Sequence, residues 1–340
     1  MTSRARSSLA TAGLSSSPLG LGCAELFREP SAARRRGLLH AALEAGICHF
    51  DVAPMYGLGI AERELGRFAR GRRDQLVIAT KFGISPTIAA QGLARIQGPV
   101  RRVLAASPRL RAQARSGAAG PASGGAGSLL YRSSGYDAAG ARLSLERSLR
   151  ALRVDHVDLL LLHDPPPSDV RHDDVCAYLE QARTAGRVRA WGIAGEPGPT
   201  VAVARAMPTL PQVIQVRDDL VERPGAAVEV PADAGRITFG VLGSAIGRVV
   251  THVAADPNRS RRWRDEVGVP CTHPGHVAGL LLAAAHAENP DGVVLFGSID
   301  REHVARAAAA VLREAEVGDV TAFLRLVESE CGAATSRADF

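Results

Sequence analysis

The stretch RLSLERSLRALRVDHVDLLLLHDP, residues 142–165, sets a helical pattern directly against a strand. Residues 140–152 space their apolar side chains for a helix, and 157–163 form a nearly unbroken apolar run that ends at His163. A strand without polar alternation has both faces covered, as in a parallel sheet wrapped by helices. Working outward, the same alternation recurs along the chain. Strands are expected near residues 18–23, 47–52, 76–81, 157–163, 188–193, 212–216, 236–241 and 292–296. Helical patterns cover 31–45, 59–70, 140–152, 172–185, 198–207, 276–287 and 301–314. Eight strands alternating with helices predict an α/β fold, a (β/α)8 TIM barrel formed as one domain over 18–325. After the sixth strand the pattern weakens to a Pro-interrupted helix in RDDLVERPGAAVEVPADAG.

Residues 1–17 and 326–340 are expected to be tails. Two long βα segments exceed a minimal barrel, 86–135 and 243–275, and both belong to the C-terminal face of the strands. The first contains RLRAQARSGAAGPASGGAGSLL, a basic piece followed by Gly/Ala/Ser low complexity. It reads as a substrate lid or as a disordered insertion.

The chain has 340 residues, 46% of them hydrophobic, enough for a large core. No apolar run approaches the roughly 18 residues of a membrane span, so no membrane partner is expected. The net charge is +6, yet aromatic residues are only 4%, and nucleic-acid binding is not expected. Five scattered cysteines, Cys23, Cys48, Cys176, Cys271 and Cys331, suit free thiols in a reducing cytoplasm.

Of the 41 Lys and Arg residues one is a lysine, Lys81, at the end of the apolar run LVIAT. Codon bias explains the scarcity but not the address. A compact ammonium fits against one oxygen and tunes its pKa, which a planar guanidinium does not do. In a barrel the strand ends converge on one pocket. The second strand ends in Asp51 and turns through DVAPMYG to Tyr56, the third ends at Lys81, and the fourth at His163. These make an acid–base set. An ammonium beside the Tyr56 phenol is expected to lower its pKa, Asp51 to hold the ammonium, and His163 to polarise a substrate oxygen. Asp164, in the same HDP, reads as a turn residue before Pro165 or as a substrate contact.

With these residues in place, the chain resembles the aldo-keto reductase superfamily. The motifs GICHFDVAPMYGLGIAERELGRFA, IATKFG and RLSLERSLRALRVDHVDLLLLHDP occur in order, within a likeness running from SPLGLGCAEL to FGSIDREHVARAAAAV. The resemblance implies an NAD(P)-dependent oxidoreductase that moves hydride between nicotinamide and an aldehyde, ketone or alcohol, with Asp51, Tyr56, Lys81 and His163 as its catalytic tetrad. It also implies cofactor contacts at Gly22, Cys23, Asp51, Gln215 and Phe239. The Ser-Asn pair usual after the fifth strand is replaced by Ala194 and Gly195 in WGIAGEP. At FGSIDREHVARA, Gly297, Ser298 and the helix N-terminus suit a phosphate. Positions that often grip an adenosine 2′-phosphate read Gly297, His303 and Ala307, with Arg301 as a substitute cation, so both NADP and NAD are expected cofactors. The GIAG and HDP variants look most like the galactose and threo-aldose dehydrogenase branch, implying a sugar-like or lactol substrate.

Two other classes remain. A metal-dependent hydrolase could draw on His49 and Asp51, or on Cys271, His273 and His276 in CTHPGH, although the fifth and sixth strand ends carry no histidine; His273 and His276 otherwise read as a turn and helix cap. A cofactor-binding barrel without catalysis, acting as a sensor or partner subunit, would fit the thinned cofactor contacts.

Overall fold

The computed structural model describes residues 7–9, 12–87, 130–221, 230–313 and 317–332. Eight parallel strands close a barrel: β1 Leu19–Gly22, β2 His49–Asp51, β3 Val77–Phe82, β4 Val157–His163, β5 Val188–Gly195, β6 Val213–Arg217, β7 Gly235–Phe239 and β8 Val293–Phe296. All eight lie where the apolar runs predict them, and each pairs with its neighbours in chain order, β8 returning to β1.

Helices wrap the barrel in the expected order: α1 Ala32–Glu44, α2 Ile60–Ala69, α3 Ala138–Leu152, α4 His172–Thr184 and α5 Pro197–Ala206 precede β6. Then come α6 Ala245–Ala254, α7 Pro257–Val267, α8 Pro274–Ala287, α9 Arg301–Leu312 and α10 Val320–Glu330. Sequence patterns did not resolve α6 and α7 inside 243–275. The reason for α7 is visible, since PNRSRRWRDEV turns only Trp263 and Val267 fully inward. Between β6 and β7 no helix occurs among the described residues.

Among the described residues of the expected N-terminal tail, two short strands pair instead as a hairpin. Ser7–Leu9 pairs antiparallel with Leu14–Ser16, and Leu9 and Leu14 join the cluster inside the barrel with Ala79, Leu159, Leu161 and Val213. Ser16 and Ser17 tie it down: the Ser16 hydroxyl meets His49 Nδ1 at 3.0 Å, and Ser17 Oγ accepts from Cys48 N at 2.9 Å. At the other end, α10 crosses the expected tail boundary and buries Leu326 and Val327, while 333–340 lie outside the described residues. Of the 86–135 segment, Ile84–Pro86 pairs with Tyr131–Ser133, and the low-complexity piece lies outside the described residues. Among the described residues no helix is long and apolar enough to cross a membrane.

Register carries the site. Asp51 on β2 lies opposite Ala79 on β3, so Lys81, two residues on, shares its face. Lys81 lies opposite Leu161, placing His163 on the same face one step higher. His163, Ala194 and Gln215 are then in register across β4, β5 and β6. At the lower end of β4, buried Asp158 accepts from Ile78 N at 2.8 Å, Arg73 Nη2 at 2.8 Å and Arg189 Nη1 at 3.1 Å. It fixes β3 against β4. Asp158→Ala removes the acceptor shared by these three donors, Arg73 Nη2 keeping its bond to His156 O at 3.2 Å, and is expected to cost about 3 kcal/mol, read as a lowered urea midpoint; an unchanged midpoint would contradict this role.

Candidate functional site

Lys81 Nζ donates to Asp51 Oδ1 and, at 3.3 Å, to Val52 O. Both charged side chains are about 98% buried, so each neutralises what the other would lose by leaving water. Tyr56 reaches this pair from a turn that the backbone makes tight. Gly57 (φ 56°), Leu58 (φ 57°) and Gly59 (φ 83°) run through the left-handed region, and a Cβ at Gly57 would lie 2.3 Å from Phe27 Cβ. The Tyr56 ring lies with its centroid 5.1 Å from Lys81 Nζ and meets the His163 ring edge-on at 5.9 Å. The structure thus brings together all four residues expected to form the acid–base set.

Their protonation states differ from the simplest expectation in one respect. Burial pushes the Tyr56 phenol up to about 12, and the Lys81 charge only limits that rise. The expected net lowering does not occur, because desolvation of the phenolate outweighs one ammonium that Asp51 already neutralises. Lys81 is held above the ordinary lysine value: burial opposes its charge, but Asp51 and then Tyr56 favour it more. Burial and the Lys81 charge drop His163 to about 3, leaving a neutral imidazole. At neutral pH the cluster therefore sets an ammonium, a phenol and an uncharged histidine beside Asp51.

His163 is seated by a residue the sequence reading missed. Tyr136 donates its hydroxyl to His163 O at 2.6 Å and to Asp164 O at 3.3 Å. Its ring fills the space beside Gly83 (φ 106°), where a Cβ would lie 2.0 Å from Tyr136 Cε1. A tyrosine bonding a backbone carbonyl has no spacing signature, and its GYD context follows directly on the low-complexity insertion.

Above the tetrad lies a cavity of about 260 Å³, lined by Gly22, Gln215, Phe239, Gly297 and the four acid–base residues, with the carboxylates of Glu25, Asp164 and Glu196 also in its wall. A second cavity of about 480 Å³ shares Phe296 and Gly297 with it and contains Ser298, His303 and Arg306. The two cavities adjoin at these shared wall residues, forming one cleft. Gln215 is 3% exposed, and its Oε1 has no hydrogen-bond partner among the described residues. A buried acceptor of this kind suits the carboxamide of a nicotinamide, and half-buried Phe239 in the same wall offers a ring face.

Two of the residues expected as contacts have side chains that do not line these cavities. Cys23 is buried in the core, with Sγ 3.7 Å from Leu21 O, and does not line the cleft; Ala24 and Glu25 do. Arg301 turns to α1, where a Cβ at Gly37 would lie 1.6 Å from its Nη2, and Arg306, one turn further along α9, faces the second cavity instead. At the α9 N-terminus, Asp300 already accepts from Glu302 N at 2.8 Å, and Ser298 Oγ accepts from Asp300 N at 3.0 Å. That end therefore already carries a carboxylate.

The residues considered as metal ligands have other duties. His49 is fully buried against Ser16. His273 caps α8 by accepting from Gly275 N, His276 Nδ1 lies 3.1 Å from Pro270 O, and Cys271 Sγ lies 3.6 Å from Val269 O. Among the described residues no three His, Cys, Asp or Glu side chains are grouped to hold a metal.

Residues 18–224 match the Aldo/keto reductase family. D-threo-aldose 1-dehydrogenase of Pseudomonas sp is 31% identical over 261 residues, which span 75% of this chain and 73% of that protein. The glycerol dehydrogenase of Gluconobacter oxydans superposes with a TM-score of 0.69 at 17% identity, covering 100% of this chain and 99% of its own. An aldo-keto reductase from Klebsiella pneumoniae in complex with NADPH gives 0.66 at 20% identity over 100% of both chains. At these identities the two structures bear on the fold alone.

Burial lowers His49 to about 4, from 6.5. Below pH 6.5 the unfolded chain binds a proton at this position that the folded chain refuses until about pH 4. Stability is therefore lost as pH falls through that window, at about 1.4 kcal/mol per pH unit. His49→Gln is expected to make the acid limb of urea stability between pH 6.5 and 4 shallower by about that slope; an identical slope would contradict a neutral buried His49.

Proposed function

The chain belongs to the aldo/keto reductase family, and on that footing we propose that it is an NAD(P)-dependent oxidoreductase with Tyr56 as its proton-transferring group. The observation that carries this is the buried Lys81 ammonium, held by Asp51 on one side and facing the Tyr56 ring on the other. A nicotinamide cofactor, bound along Gln215 and Phe239, would supply or accept the hydride. The protein's own task is to place an oxygen and manage one proton.

Tyr56 is protonated at neutral pH, so in the reductive direction it holds the proton that the substrate oxygen needs. Lys81 stabilises the phenolate left behind, and Asp51 keeps that ammonium charged. Neutral His163, edge-on to Tyr56, orients the same oxygen without adding charge. In the oxidative direction the phenolate takes the alcohol proton back. Gln215, Phe239, Gly22, Gly297, Ser298 and His303 are proposed cofactor contacts, with Arg306 in place of Arg301.

The likeness to a D-threo-aldose 1-dehydrogenase and the carboxylates in the cavity wall support a small, hydroxylated aldehyde or lactol as substrate. Five buried free cysteines support a reducing cytoplasm.

Titrating the protein with NADPH and NADH, read by nicotinamide fluorescence, is expected to show saturable binding of at least one. Tyr56→Phe should keep that Kd within about twofold and lose about a hundredfold or more in aldehyde turnover. Equal turnover in the variant would remove Tyr56 from the mechanism. Cofactor binding with no turnover of any carbonyl by the unaltered protein would favour a non-catalytic barrel.

A further inference from the structure

Asp164 follows His163 directly and is one of three non-glycine residues with positive φ among the described residues, at 46°. That region costs a non-glycine residue about 1–2 kcal/mol, least for Asp and Asn. The turn is imposed from both sides: Asp164 N donates to Ala194 O at 2.7 Å, and its carbonyl accepts from Tyr136. The result is to lay the carboxylate over the end of β5. A Cβ at Gly195 would stand 2.7 Å from Asp164 Oδ1 and 3.3 Å from its Cα. Gly195 has no positive φ, so its backbone does not require glycine; a Cβ there would meet the Asp164 carboxylate and, at 3.0 Å, Thr200 Oγ1, and would push the carboxylate aside. Glycine at 195 and aspartate at 164 are thus sterically linked.

Among the described residues the carboxylate placed this way makes no ion pair with Lys or Arg, and Lys81 acts on it only at a distance. Glu196, beside it in the cavity wall, has Arg217 Nη1 at 3.8 Å. Among the described residues the nearest ion-pairing atom to Asp164 is His163 Nε2 at 3.7 Å, on an imidazole that is neutral. His163 itself is more than nine-tenths buried in the same wall, and its Nδ1 has no partner among the described residues. A ligand entering here meets a carboxylate acceptor, its side chain about half exposed at the cavity wall, next to the group proposed to orient the reacting oxygen. Hydroxyl hydrogens satisfy it; hydrocarbon strips its water without replacement.

We propose that Asp164 makes this site select a carbonyl or alcohol whose neighbouring carbons carry hydroxyl groups, and that Gly195 leaves Asp164 the room to do so. This rests on the oxidoreductase reading given above. The selectivity is read as differential binding, because a site built to pair with a hydroxyl discriminates strongly against an analogue without one.

Glyceraldehyde and propionaldehyde share three carbons and differ by two hydroxyls, so their kcat/KM ratio is the readout. The unaltered protein is expected to favour glyceraldehyde by about tenfold or more. Asp164→Leu should bring the ratio to within about threefold of unity, mainly through KM for glyceraldehyde. Asp164→Asn, which still accepts a hydroxyl hydrogen bond, should fall between the two. Gly195→Ala leaves the chemistry of 164 intact but displaces its carboxylate, and should lower the ratio in the same direction even if Asp164→Leu fails to fold. A ratio unmoved by these variants, or one near unity in the unaltered protein, would overturn the assignment of Asp164 alone. Turnover of neither aldehyde by protein that binds NADPH or NADH would overturn this inference, and absence of cofactor binding as well would overturn the oxidoreductase reading with it.

Discussion

A buried lysine paired with a buried aspartate constrains everything around it. Each ion alone would cost several kcal/mol to strip of water, and the pair is tolerable only when its geometry is rigid. Asp51 and Lys81 meet that condition because they sit on adjacent strands whose register is set by backbone hydrogen bonds, not on loops. The electrostatics of the other site residues follow from this pair. Lys81 restrains the rise of the Tyr56 phenol and helps keep His163 uncharged, while Asp51 keeps Lys81 itself protonated. Arginine elsewhere and lysine here is then a matter of shape, since the ammonium reaches one carboxylate oxygen and still faces a tyrosine ring.

The barrel provides both the dry floor and the open top this pair needs. Below it, side chains of alternate strands fill the interior, and the N-terminal hairpin closes the lower end with Leu9 and Leu14. Above it, small residues keep the top open: Ala194 stands between His163 and Gln215 in the same register, and Gly195 gives way to the Asp164 carboxylate. The same stagger that raises each strand relative to the last sets Asp51, Lys81 and His163 in a rising line around one wall.

Much of this was legible in the chain. The strands could be read because a strand covered on both faces needs an uninterrupted apolar run, and those of β3 and β4 are buried at every position. The tetrad could be read because polar residues at the ends of such runs have only one place to point. The hairpin could not, because a serine-rich segment owes its order to two leucines and to hydroxyl bonds with a distant strand. Arg301 and Cys23 were misplaced for a related reason: position in a motif gives the backbone address, while the direction of a side chain depends on a gap such as the one beside Gly37. Tyr136 acts through a carbonyl, which leaves no pattern of residue types, whereas Asp164 was legible in HDP as a turn residue or a substrate contact and only its hold on Gly195 was not.

Replacing Lys81 by arginine separates a requirement for an ammonium from a requirement for any positive charge. Steady-state turnover of glyceraldehyde by Lys81→Arg, with NADPH binding measured on the same preparation, is expected to fall about a hundredfold or more while the cofactor still binds. The guanidinium keeps the charge but cannot fit between Asp51 and Tyr56 in the same geometry. Turnover close to that of the unaltered protein would contradict the account, leaving Lys81 as an ordinary buried cation and Tyr56 without its reason for being where it is.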